Sequence, residues 1–338
     1  ANMIIREIKN LSKCSSFHQL IIPFRGISFK DLNGDKCDFP LVILDFATNG
    51  SLQNYLQKSK KEVNEIPSYQ KMIFLYGIAK AMECLHFLHI THRDLKPANI
   101  LLNDKNYPLL ADLGVSKLFD IHSTDPSTLI GTLTYEAPEV LNGTVTNNEC
   151  FSTDVFSYSL ISYFIISGKE PYEELKEELK KNLSFRDQID FLSDKRFKLP
   201  DEIFPSYFQL LISLLWQNNP NDRPSFSDVV SLFDAGVMLP IENENELKQY
   251  LEYRDFLEAP SLLNEERLIQ KRNELKSQNK LNLANVITFY LADQLNNAEA
   301  QIQIGIRYSY GEELILDRDK GFKYFSKAAE QDHSEALF

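Results

Sequence analysis

Apolar residues recur at helical spacing over residues 4–13, where Ile4, Ile5, Ile8 and Leu11 are interleaved with Arg6, Glu7 and Lys9. Residues 20–29 and 39–46 are instead rich in Ile, Val, Leu and Phe. With the Asn33-Gly34-Asp35 turn between them they predict a two-stranded hairpin. Gly50-Ser51 opens a predicted short helix, and residues 68–89 predict a long one, with Ser68 after Pro67 as its cap. A loop-rich stretch over 90–140 encloses one short apolar strand, Ile100-Leu101-Leu102. From Ser152 to about residue 237 the pattern is mostly helical. Its longest apolar stretch, Val155 to Ile166, is interrupted by Ser and Tyr and is too short to span a bilayer, so it predicts a buried helix. Strands gathered early and helices late are the mark of an α+β domain.

The chain has 338 residues, room for two domains, and with 43% hydrophobic and 25% charged residues it can bury a core. Disordered and collagen-like classes are excluded. Acidic residues outnumber basic ones, 48 to 36, for a net charge of −12. Such a surface repels phosphate backbones and anionic lipid, so neither nucleic acid nor membrane insertion is expected. Cys14, Cys37, Cys84 and Cys150 lie far apart with no C-x-x-C pair. That argues against a disulfide framework or zinc site and points to a reducing, cytoplasmic compartment. The start, Ala1 to Glu7, does not have the pattern of a signal peptide.

Composition shifts after Pro240. Residues 241–280 are strongly charged (Glu242, Glu244, Glu246, then Lys271, Arg272, Lys276) and predict a solvated helical linker. Beyond it, Asn297-Ala298-Glu299-Ala300 recurs as His333-Ser334-Glu335-Ala336 at an offset of 36, a period typical of stacked helix pairs.

The densest chemistry lies in His92-Arg93-Asp94-Leu95-Lys96-Pro97-Ala98-Asn99, between the long helix and the short strand. Asp112-Leu113-Gly114 follows 18 residues after Asp94. Then come Gly131-Thr132-Leu133-Thr134-Tyr135-Glu136-Ala137-Pro138-Glu139, Asp154-Val155-Phe156-Ser157 and Asp222-Arg223-Pro224. In this order and spacing, from about residue 4 to 237, the chain resembles the eukaryotic protein kinase family.

The resemblance implies transfer of the γ-phosphate of Mg-ATP to a protein hydroxyl, which needs an in-line nucleophile and charge neutralised on three oxygens. Asp94 would orient the acceptor hydroxyl, and Lys96 would set a compact positive charge beside the γ-phosphate. Asn99, through its amide oxygen, and Asp112, through its carboxylate, would hold Mg²⁺. Gly114 would allow the sharp turn beside Asp112. Asp154 is expected to accept backbone N–H groups of the loop bearing Asp94, and Glu139 and Arg223 to form a buried ion pair. Leu11, Phe24, His92 and Leu113 match the family's apolar column between lobes, with Leu113 where Phe is more usual. Leu41 to Gly50 is similar to the fifth strand and interlobe hinge. The adenine edge would meet the backbone of Asp45 and Ala47, with Leu44 at the back of the pocket and Leu101 beneath the base. Lys96-Pro97 and Gly131-Thr132 resemble the Ser/Thr kinases, and Gly50-Ser51-Leu52 their tyrosine-kinase-like branch. Arg93 beside Asp94 implies pairing with a phosphate on Ser123, Thr124, Ser127 or Thr128.

The chain also departs from the family. Glu7 matches the helix glutamate that pairs with a strand-three lysine, yet none of the six residues before it is Lys or Gly. None of the twelve glycines forms a G-x-G-x-x-G loop. This predicts an incomplete N-lobe, read as a fragment of a longer kinase. Residues 297–338, with Gly305, Tyr308, Tyr324, Phe325 and Ala329, resemble a Sel-one-like repeat, a relative of the tetratricopeptide helix pair, and the array is expected to continue past the last residue. The expected organisation is a kinase domain over 1–237, a charged helical linker over 238–281 and an all-α repeat region over 282–338 that binds a protein partner. The expected function is Ser/Thr protein phosphorylation; the alternative is a non-catalytic pseudokinase or scaffold.

Overall fold

A computed structural model describes residues 2–31, 33–62, 65–113, 133–146, 150–173, 192–193, 196, 199–241, 243–311 and 316–331. The architecture is α+β, with few strands and many helices among the described residues. The chain forms two compact units that do not divide at residue 237. One comprises 1–198, 215–230 and 241–258; the other comprises 199–214, 231–240 and 259–338.

In the first unit, helix α1 (Asn2–Lys13) turns Leu11 inward, as does Cys14 just beyond it. Strands β1 (Phe24–Lys30) and β2 (Lys36–Leu44) form an antiparallel hairpin with Ile27 opposite Val42 and Ser28 opposite Leu41. Asp31 closes the turn, its Oδ1 accepting from the backbone N–H groups of Asn33 and Asp35. The first strand was expected from residue 20. Instead Ile21 bridges Leu110 in parallel, because Pro23 has no N–H and interrupts the ladder. The hairpin leaves Ile27, Phe29, Leu41 and Ile43 exposed.

Helix α2 (Leu52–Glu62) follows the β2 connection, and α3 (Ser68–Phe87) is buried along most of its length. Ser68 does not cap α3. Pro67 holds that position, with Gln70 N and Lys71 N donating to its carbonyl, so Ser68 is the first helical residue. Strands β3 (Ile100–Leu102) and β4 (Pro108–Leu110) pair antiparallel, and α4 (Pro138–Leu141) is one short turn. Helix α5 (Cys150–Ser167) is the predicted buried helix. Its inward hydroxyls are satisfied locally: Ser159 donates to Phe156 O at 2.6 Å and Ser162 to Tyr158 O at 2.8 Å. Tyr158 Oη donates to Leu75 O at 2.9 Å and ties α5 to α3.

Further along the chain lie α6 (Ser206–Leu215) and α7 (Phe226–Ala235). The segment expected as a solvated linker is helical, as α8 (Glu244–Phe256) and α9 (Glu265–Ser277), but α8 is not solvated all round. Tyr250, Tyr253 and Arg254 are buried, and α8 packs on α3 with the Arg254 guanidinium 5.0 Å from the Tyr76 ring centre. Three residues at i, i+3 and i+4 form one inward stripe inside an otherwise charged sequence.

In the second unit α9 packs on α10 (Leu281–Gln294), α10 on α11 (Ala298–Tyr310), and α11 on α12 (Arg318–Ala329). A Cβ at Gly305 would lie 2.9 Å from the Phe325 ring, so that glycine lets α12 approach closely. The Tyr308 and Tyr324 rings stack 6.1 Å apart. Gly311, at φ 72°, ends α11 in the left-handed conformation. The second copy of the tetrapeptide, residues 333–336, lies outside the described residues.

Candidate active site

The loop between α3 and β3 is anchored from below by one carboxylate. Asp154, on α5 and 1% exposed, accepts from His92 N and Arg93 N, both at 2.9 Å, and from His86 Nε2 at 3.0 Å. Three donors compensate a charge that burial alone would make costly. His86 was not anticipated from sequence. It sits in the last turn of α3, packed against Phe151 and Phe226, and the only signal was a histidine closing an apolar helix. With Asp154 holding it, Arg93 adopts φ 66°, and the chain turns so that Asp94 follows, 6% exposed.

Asp94 Oδ2 receives two cationic or amide groups. Lys96 Nζ lies 2.9 Å away, and Asn99 Nδ2 donates at 2.9 Å while also donating to Asp94 O at 2.8 Å. Both bonds use the amide nitrogen of Asn99, so its Oδ1 is the end left for a cation. Asp112 is brought in through the backbone: Ala111 N donates to Asn99 O at 3.0 Å, and His92 Nε2 lies 3.1 Å from Ala111 O. A carbonyl only accepts, so His92 carries its proton on Nε2. Asp112 itself is half-buried at φ 63°. Asn10, on α1, donates from Nδ2 to Leu113 O at 2.9 Å, a contact that sequence reasoning also missed. A carboxylate and an amide oxygen are the hard donors that Mg²⁺ takes, and the orientation of Asn99 fits that group.

The expected adenine wall is contiguous with this loop. Leu44 ends β2, and Asp45 N donates to Pro23 O at 2.9 Å. Asp45 turns its carboxylate to the Arg25 guanidinium at 2.5 and 2.6 Å, which holds that carboxyl below the usual range. Ala47 is buried. Leu101 bridges Ser51, and Leu102 N donates to Gly50 O at 2.8 Å, so β3 is stitched to the segment that follows β2.

Glu139 and Arg223 form a two-pronged ion pair at 2.6 and 2.9 Å, with the Arg223 side chain fully buried. Arg223 also donates to Ser152 O and Gln217 O at 2.9 and 2.8 Å. Ser157 Oγ donates to Tyr135 O at 2.7 Å, and burial pushes the Tyr135 hydroxyl well above its ordinary pKa. Leu11, His92 and Leu113 are buried, whereas Phe24 is half-buried. The side chain of Glu7, and Gly114, Ser123, Thr124, Ser127, Thr128, Gly131 and Thr132, lie outside the described residues.

A family model described as "Protein kinase domain" matches residues 1–232. The RGS domain-containing serine/threonine-protein kinase A of Dictyostelium discoideum is 30% identical over 201 residues, which are 60% of this chain and 16% of that protein. A probable myosin light chain kinase of the same organism is 33% identical over 220 residues, 64% of this chain and 41% of that protein. An Aurora kinase of Debaryomyces hansenii is 30% identical over 191 residues, 56% of this chain and 42% of that protein. The chain spans less than half the length of each of these relatives.

Proposed function

The chain belongs to the protein kinase family, and from that premise we propose that it moves the γ-phosphate of ATP to serine and threonine hydroxyls of protein substrates. The observation that carries this reading is the cluster in which Asp94 Oδ2 meets both Lys96 Nζ and Asn99 Nδ2, with Asp112 tied to Asn99 through Ala111. Asp94 accepts a hydrogen bond from the acceptor hydroxyl and aims its oxygen at the γ-phosphorus. Lys96, already beside that carboxylate, reaches the transferring phosphoryl group. Asn99 Oδ1 and the Asp112 carboxylate would hold Mg²⁺, which when bound would neutralise charge on the phosphates. The backbone of Asp45 and Ala47, with Leu44 and Leu101 packed about the base, binds adenine.

Around this cluster, Asp154 and the Glu139–Arg223 pair keep the loops in register. Glu7 and Thr132 serve as the family's helix glutamate and activation-segment threonine, and Arg93 receives a phosphate from the 123–128 stretch. Lys96-Pro97 and relatives named serine/threonine kinases favour Ser/Thr over Tyr. Gly50-Ser51-Leu52 favours the tyrosine-kinase-like branch. The close packing of α11 and α12 at Gly305 supports a Sel-one-like repeat region that binds a protein partner. No helix of the described residues is long and apolar enough to cross a membrane. The scattered cysteines and the net charge of −12 favour a cytoplasmic protein that acts on proteins rather than nucleic acid.

A second reading, a non-catalytic scaffold, draws on the lack of any G-x-G-x-x-G among the twelve glycines. One assay separates the two. Phosphoryl transfer from Mg-ATP to a protein substrate is measured for the full chain and for Asp94→Asn. The kinase reading expects a loss of about a hundredfold or more; equal rates overturn it.

A further inference from the structure

The two carbonyls that flank Asp112 are each held by a side chain from a different element. Ala111 O faces His92 Nε2 at 3.1 Å, and Leu113 O accepts from Asn10 Nδ2 at 2.9 Å. Asp112 between them sits at φ 63°, where a residue with a Cβ is held only by its surroundings. Leu113 is 2% exposed, so its carbonyl has little access to water should Asn10 withdraw. Asn10 is half-buried, beside the buried Leu11 and one turn before the buried Cys14 that follows α1. The amide therefore issues from a packed part of the helix and is not a chance surface contact.

We infer that Asn10 is a positioning residue: its side-chain amide clamps the backbone beside Asp112 and so fixes the direction of the metal-holding carboxylate. The inference rests on the kinase reading for the role of Asp112, and on the hydrogen bond alone for the coupling of Asn10 to that turn. With α1 seated, both flanking carbonyls are satisfied and the left-handed turn at Asp112 is supported on each side. Without the Asn10 amide, Leu113 O loses that donor in a buried setting, and the turn loses a side-chain clamp. Only a donor serves here. Leucine has nearly the size of asparagine but no N–H, and aspartate would set an acceptor against an acceptor.

The experiment uses the full chain as wild type, Asn10→Leu, Asn10→Asp and Asp94→Asn. The deciding readout is amide hydrogen exchange over residues 108–113, with α3 and α5 as internal references. Asn10→Leu should speed exchange over 108–113 about tenfold, the loss of one net hydrogen bond, and Asn10→Asp should speed it more, with α3 and α5 unchanged. In phosphoryl transfer, the Asn10 variants should raise the Mg²⁺ concentration for half-maximal rate and lower kcat while leaving KM for the protein substrate in place. Wild-type exchange over 108–113 in Asn10→Leu overturns the inference, as does acceleration spread equally over α3 and α5. If exchange responds as expected but Asp94→Asn transfers phosphate as fast as wild type, the coupling stands and the kinase reading falls.

Discussion

Gly77, inside α3, offers a test in which helix propensity and packing predict opposite signs. A Cβ built there would lie 2.1 Å from Tyr253 Oη, 2.6 Å from Pro108 Cγ and 3.1 Å from Tyr253 Cζ. In a free helix, Gly→Ala gains about 1 kcal/mol. In this helix the methyl group has no room, and overpacking a filled site costs about 1–3 kcal/mol. Tyr253 is fully buried on α8, in contact with Tyr107 at a ring separation of 4.5 Å, and cannot swing aside without breaking that packing. Gly77→Ala should therefore destabilise the first unit by up to about 2 kcal/mol net and release α8 from α3. The Tyr253 hydroxyl is buried with no hydrogen-bond partner among the described residues, so Tyr253→Phe alone should be neutral or slightly stabilising. Combined with Gly77→Ala it removes the nearest clash and should recover part of the loss, a coupling of about 0.5–3 kcal/mol. Urea denaturation gives the energies, and hydrogen exchange of α8 localises them. A stabilised Gly77→Ala, at the value expected from propensity, would refute the packing of Tyr253 into the glycine notch.

Arg223→Met leaves the Glu139 carboxylate buried without its partner and should cost about 3–5 kcal/mol in urea denaturation. Adding Glu139→Leu should return most of it, and equal losses in single and double variants would contradict the pairing. Burial raises the Asp293 carboxyl above its ordinary pKa, although Tyr324 Oη donates to it at 2.9 Å. The folded state thus holds that proton to higher pH than the unfolded chain. Its contribution to stability is full below the unfolded pKa and is lost as pH rises through the folded one. Asp293→Asn should abolish that slope and be the more stable form at neutral pH; parallel stability curves from acid to neutral pH would contradict this. Burial pushes the Cys14 and Cys84 thiols up to about 11, so at pH 8 in the native protein iodoacetamide should label the half-buried Cys37 well before either, as read by peptide mass spectrometry.

What sequence made legible was what depends on short offsets. Asp94, Lys96 and Asn99 meet because a tight loop of six residues brings them together, and that order is written in the chain. The β1–β2 hairpin likewise announces itself through its turn. Contacts between distant segments left little trace. Asn10 and Leu113 are 103 positions apart, and a lone asparagine on a short amphipathic helix has no spacing that marks it as a clamp. The inward stripe of α8 was hidden by averaging: Tyr250, Tyr253 and Arg254 are flanked by enough charge that the segment as a whole reads as solvated. The strand boundary shifted for a local reason, the missing N–H of Pro23, and the α3 start shifted by one residue because Pro67 takes the capping position.

That difference explains why Asp154 matters beyond its own hydrogen bonds. It lies on α5, a long and largely buried apolar helix, where an isolated carboxylate would cost several kcal/mol. Two backbone N–H groups and one imidazole, all within 3.0 Å, compensate that cost, and each donor belongs to the segment leading into Asp94. The charge is therefore tolerated only in one arrangement of that segment. A neutral acceptor such as asparagine offers a single oxygen where three donors converge, so at least one of them would be left unsatisfied. The loop acquires its fixed form from the expense of any alternative, which is the condition that the role proposed for Asp94 imposes.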